Sequence, residues 1–111
     1  MQNYHVSMTV PTTATSNNVT WYSAEDLAPP YSIIVTNADG TWPAGDVIQV
    51  RASNAVTKPA ASVTGFLVAE ADGADEIITV TQTFRWIAAI KSAADASPEA
   101  QTCMLFAHKT R

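Results

Sequence analysis

The strongest constraint on the fold of this chain is its choice of apolar side chain. Valine, isoleucine and threonine occur 10, 7 and 14 times, against three leucines, Leu27, Leu67 and Leu105. β-Branched side chains are stiff at χ1 and crowd the preceding turn of a helix, whereas they pack well on a pleated surface. The balance favours an all-β domain. Its 19 alanines lean the other way, and six of them fall within residues 88–100. At 111 residues the chain is read as a single β domain, 1–111, long enough to bury one core without staples.

Short segments of the right periodicity recur between turn signals. In residues 4–10, Tyr4, Val6, Met8 and Val10 alternate with His5, Ser7 and Thr9, as a half-buried strand requires. Pro11 ends it, and 12–18 reads as loop. Residues 19–22 form a short second strand. Residues 23–30 read as a connection closed by Pro29-Pro30, neither of which can donate to a ladder. The strand 31–36 ends at a turn signal, Asp39-Gly40. In 46–52, Ile48, Val50 and Ala52 face a core while Gln49 and Arg51 face out. Residues 53–61 read as loop. The segments 63–70 and 76–83 flank Ala71-Asp72-Gly73-Ala74-Asp75 and form the best hairpin candidate.

Residues 84–91, FRWIAAIK, admit two readings. As a strand they set Phe84, Trp86, Ala88 and Ile90 on one face. As a helix they group Phe84, Ile87 and Ala88 with Lys91, which spoils the apolar stripe. The strand is preferred, followed by a helical turn where Ser97 caps and Pro98 occupies the first position. Residues 102–108 close the chain as a strand that is apolar on both faces, which fits either burial on both sides or one face at a subunit contact. Seven or eight short strands at this spacing give a β-sandwich or a jelly-roll-like barrel.

Charged residues are 14% of the chain, well under the ~25% usual in soluble domains. The low charge does not signal a disordered chain, because disorder combines low hydrophobicity with high net charge. No apolar run approaches the length of a membrane-spanning helix. The net charge is −4, so phosphate backbones and anionic lipid repel the chain, which argues against nucleic-acid and membrane roles. Cys103 is the only cysteine and has no internal disulfide partner. The first five residues lack the basic and apolar regions of a secretion signal. Both features lead to the expectation of a protein made and kept in a reducing cytoplasm, or assembled there into something larger.

Catalytic chemistry finds little footing. His5 and His108 lie at opposite ends of the chain. Cys103 and His108 share a strand but are five residues apart and point to opposite faces. The expectation is that the chain is not an enzyme. Glu70, Asp72, Asp75 and Glu76 surround the hairpin turn without the ordered spacing of a calcium loop, and read as a solvated tip. No metal or cofactor is expected. The candidate interface or ligand contacts are the aromatics in or beside the loops of the N-terminal half, Trp21, Tyr22, Tyr31 and Trp42, which would offer stacking surfaces and interface anchors. Trp86 reads as core.

The segments YHVSMTV, YSIIVTNADGTWPAGDVIQVRA, GFLVAEADGADEIITVTQTFRWIAAI and TCMLFAHKT together resemble the staple, or cement, proteins of short-tailed Salmonella phages of the epsilon-fifteen type. The resemblance covers essentially the whole chain and rests on length and texture rather than on a signature motif. It implies a jelly-roll-like domain on the outer surface of the virion, decorating an icosahedral head. Such a protein would clamp neighbouring major capsid protein subunits, self-associate as a dimer, and carry no catalytic or metal residues. A jelly-roll module that binds carbohydrate through exposed tryptophan and tyrosine is the alternative reading.

Overall fold

A computed structural model describes residues 2–10, 19–37, 45–73, 76–93 and 101–109. Its eight strands are β1 (Gln2–Met8), β2 (Tyr22–Ser23), β3 (Leu27–Asn37), β4 (Val47–Ser53), β5 (Phe66–Ala71), β6 (Glu76–Val80), β7 (Trp86–Ala93) and β8 (Gln101–Lys109). They form two four-stranded sheets with orders β1-β8-β3-β6 and β2-β7-β4-β5, and every pairing is antiparallel.

The order has a simple origin. β4 pairs with β5, β3 with β6, β2 with β7 and β1 with β8, so the chain is one long nested hairpin whose tip lies between β4 and β5. Rolling that ribbon brings β8 beside β3 and β7 beside β4. The result is an all-β sandwich with jelly-roll connectivity, and it divides its unpaired edges among four strands, β1, β6, β2 and β5.

Alternation along each strand fills the space between the sheets. Ile33, Val35, Ile78, Val80, Cys103 and Leu105 of one sheet meet Ile48, Val50, Ala52, Ala71, Ile87 and Ala89 of the other in one buried cluster. Removing each large aliphatic side chain from water contributes about 1.5–3 kcal/mol before the entropy of ordering is subtracted. In β4 the expected faces are the observed ones, with Ile48, Val50 and Ala52 fully buried.

Several expectations are corrected. Segments 63–70 and 76–83 do not form a hairpin: β5 pairs with β4, β6 with β3, and the two lie in different sheets. The turn chemistry is real, since Glu76 Oε2 accepts the amides of Asp72 (2.8 Å) and Gly73 (3.3 Å). In a nested ribbon, however, the step from the innermost pair to the next one out crosses between sheets. Pro29 and Pro30 lie inside β3 rather than in a connection, at the point where its register against β8 shifts between Ala28 and Ser32. A strand can hold proline at such an irregularity because no ladder donor is needed there. The second strand is only Tyr22–Ser23, and β5 begins after Gly65, whose φ is +63°.

Residues 86–93 are strand, and both faces of β7 are covered. Ile87 and Ala89 enter the sandwich, while Ala88 and Ile90 pack outside it against Val19 and Trp21. Phe84 precedes the strand and joins the main core. β8 is central in its sheet and buries Cys103, Leu105 and Ala107, but its other face is not buried, with Phe106 44% exposed. The loop 12–18, the Asp39-Gly40 turn and the helical turn at Ser97 and Pro98 lie outside the described residues.

Candidate interaction face

The outer surface of the β1-β8-β3-β6 sheet is set by strand register. One cross-strand row is His5, Phe106, Ser32 and Thr79, and the next is Ser7, Met104, Ile34 and Ile77. Asn3 pairs with His108 beyond them. Since strand neighbours alternate, the buried partners of these residues, among them Ile33, Ile78 and Leu105, fix them on the outside. None of the side chains in these rows is Asp, Glu, Lys or Arg. Ile77 is 64% exposed and Phe106 44%. The His5 and Phe106 rings are 6.1 Å apart and tilted by 30°.

At the proline irregularity of β3 this face dips into a groove of about 460 Å³, lined by residues that include Asn3, His5, Ser32, Phe106 and His108. No carboxylate lines it. Cys103 is on the opposite face of β8, fully buried, and burial pushes its thiol up to about 12. Among the described residues no group of three or more His, Cys, Asp or Glu side chains has the arrangement to hold a metal ion. At the β5–β6 end of the sandwich a smaller cleft, about 260 Å³, is lined by Phe66, Leu67 and Phe84 among others. The Phe66 and Phe84 rings are 5.4 Å apart there.

The four aromatics expected at a contact surface fare differently. Trp21 is buried, packs on Ala88 and Ile90, and donates its indole N–H to the Val63 carbonyl at 3.2 Å. Tyr31 is buried between the sheets, and its hydroxyl is pushed up to about 12 by desolvation. The Trp21 ring is covered on the outside of β7, whereas Tyr31 is also among the residues that line the groove beside Phe106. Tyr22 is half-buried, and its hydroxyl donates to Thr9 Oγ1 at 3.0 Å and accepts the Thr9 amide at 2.7 Å. It ties the end of β1 to the other sheet. Trp42 lies outside the described residues. Trp86 is partly buried, beside the Trp21 cluster, with its indole N–H on the Ala55 carbonyl at 3.0 Å. Of the acidic turn, Glu70 accepts from Gln49 at 2.8 Å and Glu76 holds the turn amides, while Asp75 lies outside the described residues.

Sequence reasoning missed the neutral face because it ranked residues by type. The signal was the doublets Ile33-Ile34 and Ile77-Ile78: in a strand one member of each must point outward.

Comparison with protein-family models, with curated proteins and with solved structures finds no match to this chain.

Proposed function

We propose that this chain is a structural virion protein that decorates an icosahedral phage head. In this reading it docks on neighbouring major capsid protein subunits, stabilises them from the outer surface, and self-associates as a dimer. The observation that supports the reading is the absence of Asp, Glu, Lys and Arg from the described outer rows of the β1-β8-β3-β6 sheet. These rows belong to a chain of net charge −4 and expose Ile77 and Phe106. A rigid sheet with small polar and apolar side chains is desolvated cheaply on docking, and contacts with several subunits add through avidity.

Mixing the purified protein with expanded heads that lack it tests the reading. Stoichiometric binding and greater resistance to heat or chelator are expected. The pair Ile77→Lys and Phe106→Lys should weaken binding at least tenfold while leaving the fold intact. Heads that neither bind the protein nor gain robustness refute it.

A second reading, a carbohydrate-binding module, rests on the groove beside Phe106, whose lining includes Tyr4, Tyr31 and Phe106, two imidazoles, Asn3 and Ser32. Calorimetry against a glycan panel, with Phe106→Ala as control, tests it, and an absence of heat across the panel removes it.

A further inference from the structure

Lys91 on β7 and Asp46 just before β4 are both sealed from solvent, their side chains 0% exposed, and Gln101 at the start of β8 is 5% exposed. Lys91 Nζ donates to Asp46 Oδ2 at 3.2 Å, and Gln101 Nε2 donates to the same oxygen at 2.7 Å. The other end of the carboxamide, Gln101 Oε1, is buried with no hydrogen-bond partner. An amine from β7 and a carboxamide from β8, in opposite sheets, thus converge on one carboxylate oxygen of the residue before β4, sealed from solvent. As a stability device this is poor, because the desolvation of a buried ion pair rivals its attraction and an apolar replacement is often no worse. As a reaction centre it is well composed.

We propose that Lys91 and Gln101 condense spontaneously into an intramolecular amide crosslink, with Asp46 as the catalytic proton carrier. The ammonium of Lys91 passes a proton to the Asp46 carboxylate, leaving a neutral amine beside a carboxylic acid. A half-turn of the Gln101 carboxamide exchanges its nitrogen and oxygen in nearly the same volume and gives the new O–H an acceptor in Oε1. The 2.7 Å separation is the usual length of an O–H···O bond. The Nζ lone pair then attacks Gln101 Cδ, forming the C–N bond while Asp46 protonates the carbonyl oxygen.

Collapse of the tetrahedral centre breaks the Cδ–Nε2 bond. The displaced nitrogen takes up the protons released from Nζ and oxygen through Asp46, and leaves as ammonium. Lysine ammonium and glutamine carboxamide become amide and ammonium, and Asp46 ends as it began, a carboxylate. No oxidant, metal or activated donor is consumed. The hold of Lys91 Nζ and the Gln101 carboxamide on one Asp46 oxygen supplies the proximity the step uses, and exclusion of water removes the competing hydrolysis. The bond joins β7 of one sheet to β8 of the other, a covalent tie across the sandwich.

Intact-mass spectrometry of the purified full chain under denaturing conditions tests this. The expected mass is one ammonia below that of the sequence, with Lys91→Arg and Asp46→Asn at their full sequence masses. Proteolysis should release a branched peptide joined through Lys91 and Gln101. A wild-type chain that keeps its full mass after prolonged incubation in the folded state overturns the proposal. So does a chain one water lighter with Lys91 joined to Asp46, which would make Asp46 the acyl partner instead of the proton carrier. The wild-type measurement decides the matter even where a variant folds poorly.

Discussion

Replacing Trp21 by alanine separates a core role for this ring from a contact role. The side chain is 3% exposed, lies on Val19, Ala88 and Ile90 outside β7, and bonds the Val63 carbonyl. A buried tryptophan removes about 150–250 Å² from water, which at ~25 cal/mol per Å² is about 4–6 kcal/mol. Substitutions of this kind cost about 3–5 kcal/mol once neighbours relax, and Val63 is exposed, so water replaces the lost indole bond. We therefore expect Trp21→Ala to lose about 3–5 kcal/mol, a large part of the ~5–15 kcal/mol of a typical domain. Trp21→Phe keeps most of the ring area and should lose about 1–2 kcal/mol. Guanidinium unfolding followed by circular dichroism measures both, and the midpoint should fall at unchanged slope. A ring serving mainly as an exposed contact predicts stability within about 0.5 kcal/mol of wild type. A Trp21→Ala loss below about 1 kcal/mol refutes the core assignment.

Glycine positions give a paired test: Gly65 has φ +63°, and a Cβ there would meet the Ala52 carbonyl oxygen and sit 2.9 Å from Trp21 Cη2, whereas a Cβ at Gly73 meets nothing within 4 Å. Gly65→Ala should cost about 2–4 kcal/mol and Gly73→Ala under about 0.5 kcal/mol, by the same unfolding assay; equal effects would contradict the geometry. Alkaline titration tests burial of Tyr31 and Cys103, both pushed up to about 12 from 10.0 and 9.0. The unfolded chain then sheds these protons first, so their contribution is complete below pH about 9 and is lost as pH rises through about 12. Stability should decline across that window. Phenolate absorbance and thiol alkylation should both show one tyrosine and the cysteine reacting only at higher pH or on unfolding.

Fold class was legible because alternation is a local property. β4 carries its whole pattern in seven residues, and Ile48, Val50 and Ala52 sit where that pattern puts them. Partner choice was not legible. The residues around Gly73 signal a reversal, but nothing local says whether the chain returns beside β5 or crosses to β3. The ambiguity of 84–91 has the same root. β7 is apolar on both faces because Val19 and Trp21 cover its outside, and that cover comes from a segment more than 60 residues away. Its distance also explains the misplaced tryptophan: an aromatic beside a loop reads as exposed until the strand it shelters is known. Lys91 reads as a charge interrupting an apolar run, and only the packing of Asp46 and Gln101 against it gives that charge a place inside.

The low charge of the chain takes on a different meaning once each charge has a location. Arg51 uses three nitrogens to hold the Thr64 and Gly65 carbonyls and Gln49 on the β4–β5 side. Arg85 pairs with Glu25 at 3.2 Å at the surface. Glu76 secures a turn, and Lys91 and Asp46 are inside. These described charges act within the fold, pinning loops or lying inside the sandwich, while the described outer rows of the β1-β8-β3-β6 face hold no Asp, Glu, Lys or Arg. Like charges repel across any close contact between acidic surfaces. An acidic partner, or a second copy of a chain with net charge −4, therefore meets least resistance at that face. Desolvating Ser7, Ser32 and Thr79 there costs far less than desolvating ammonium or carboxylate groups. The scarcity of charge is thus less a property of the whole surface than the condition that leaves the described outer rows of one sheet free to be covered.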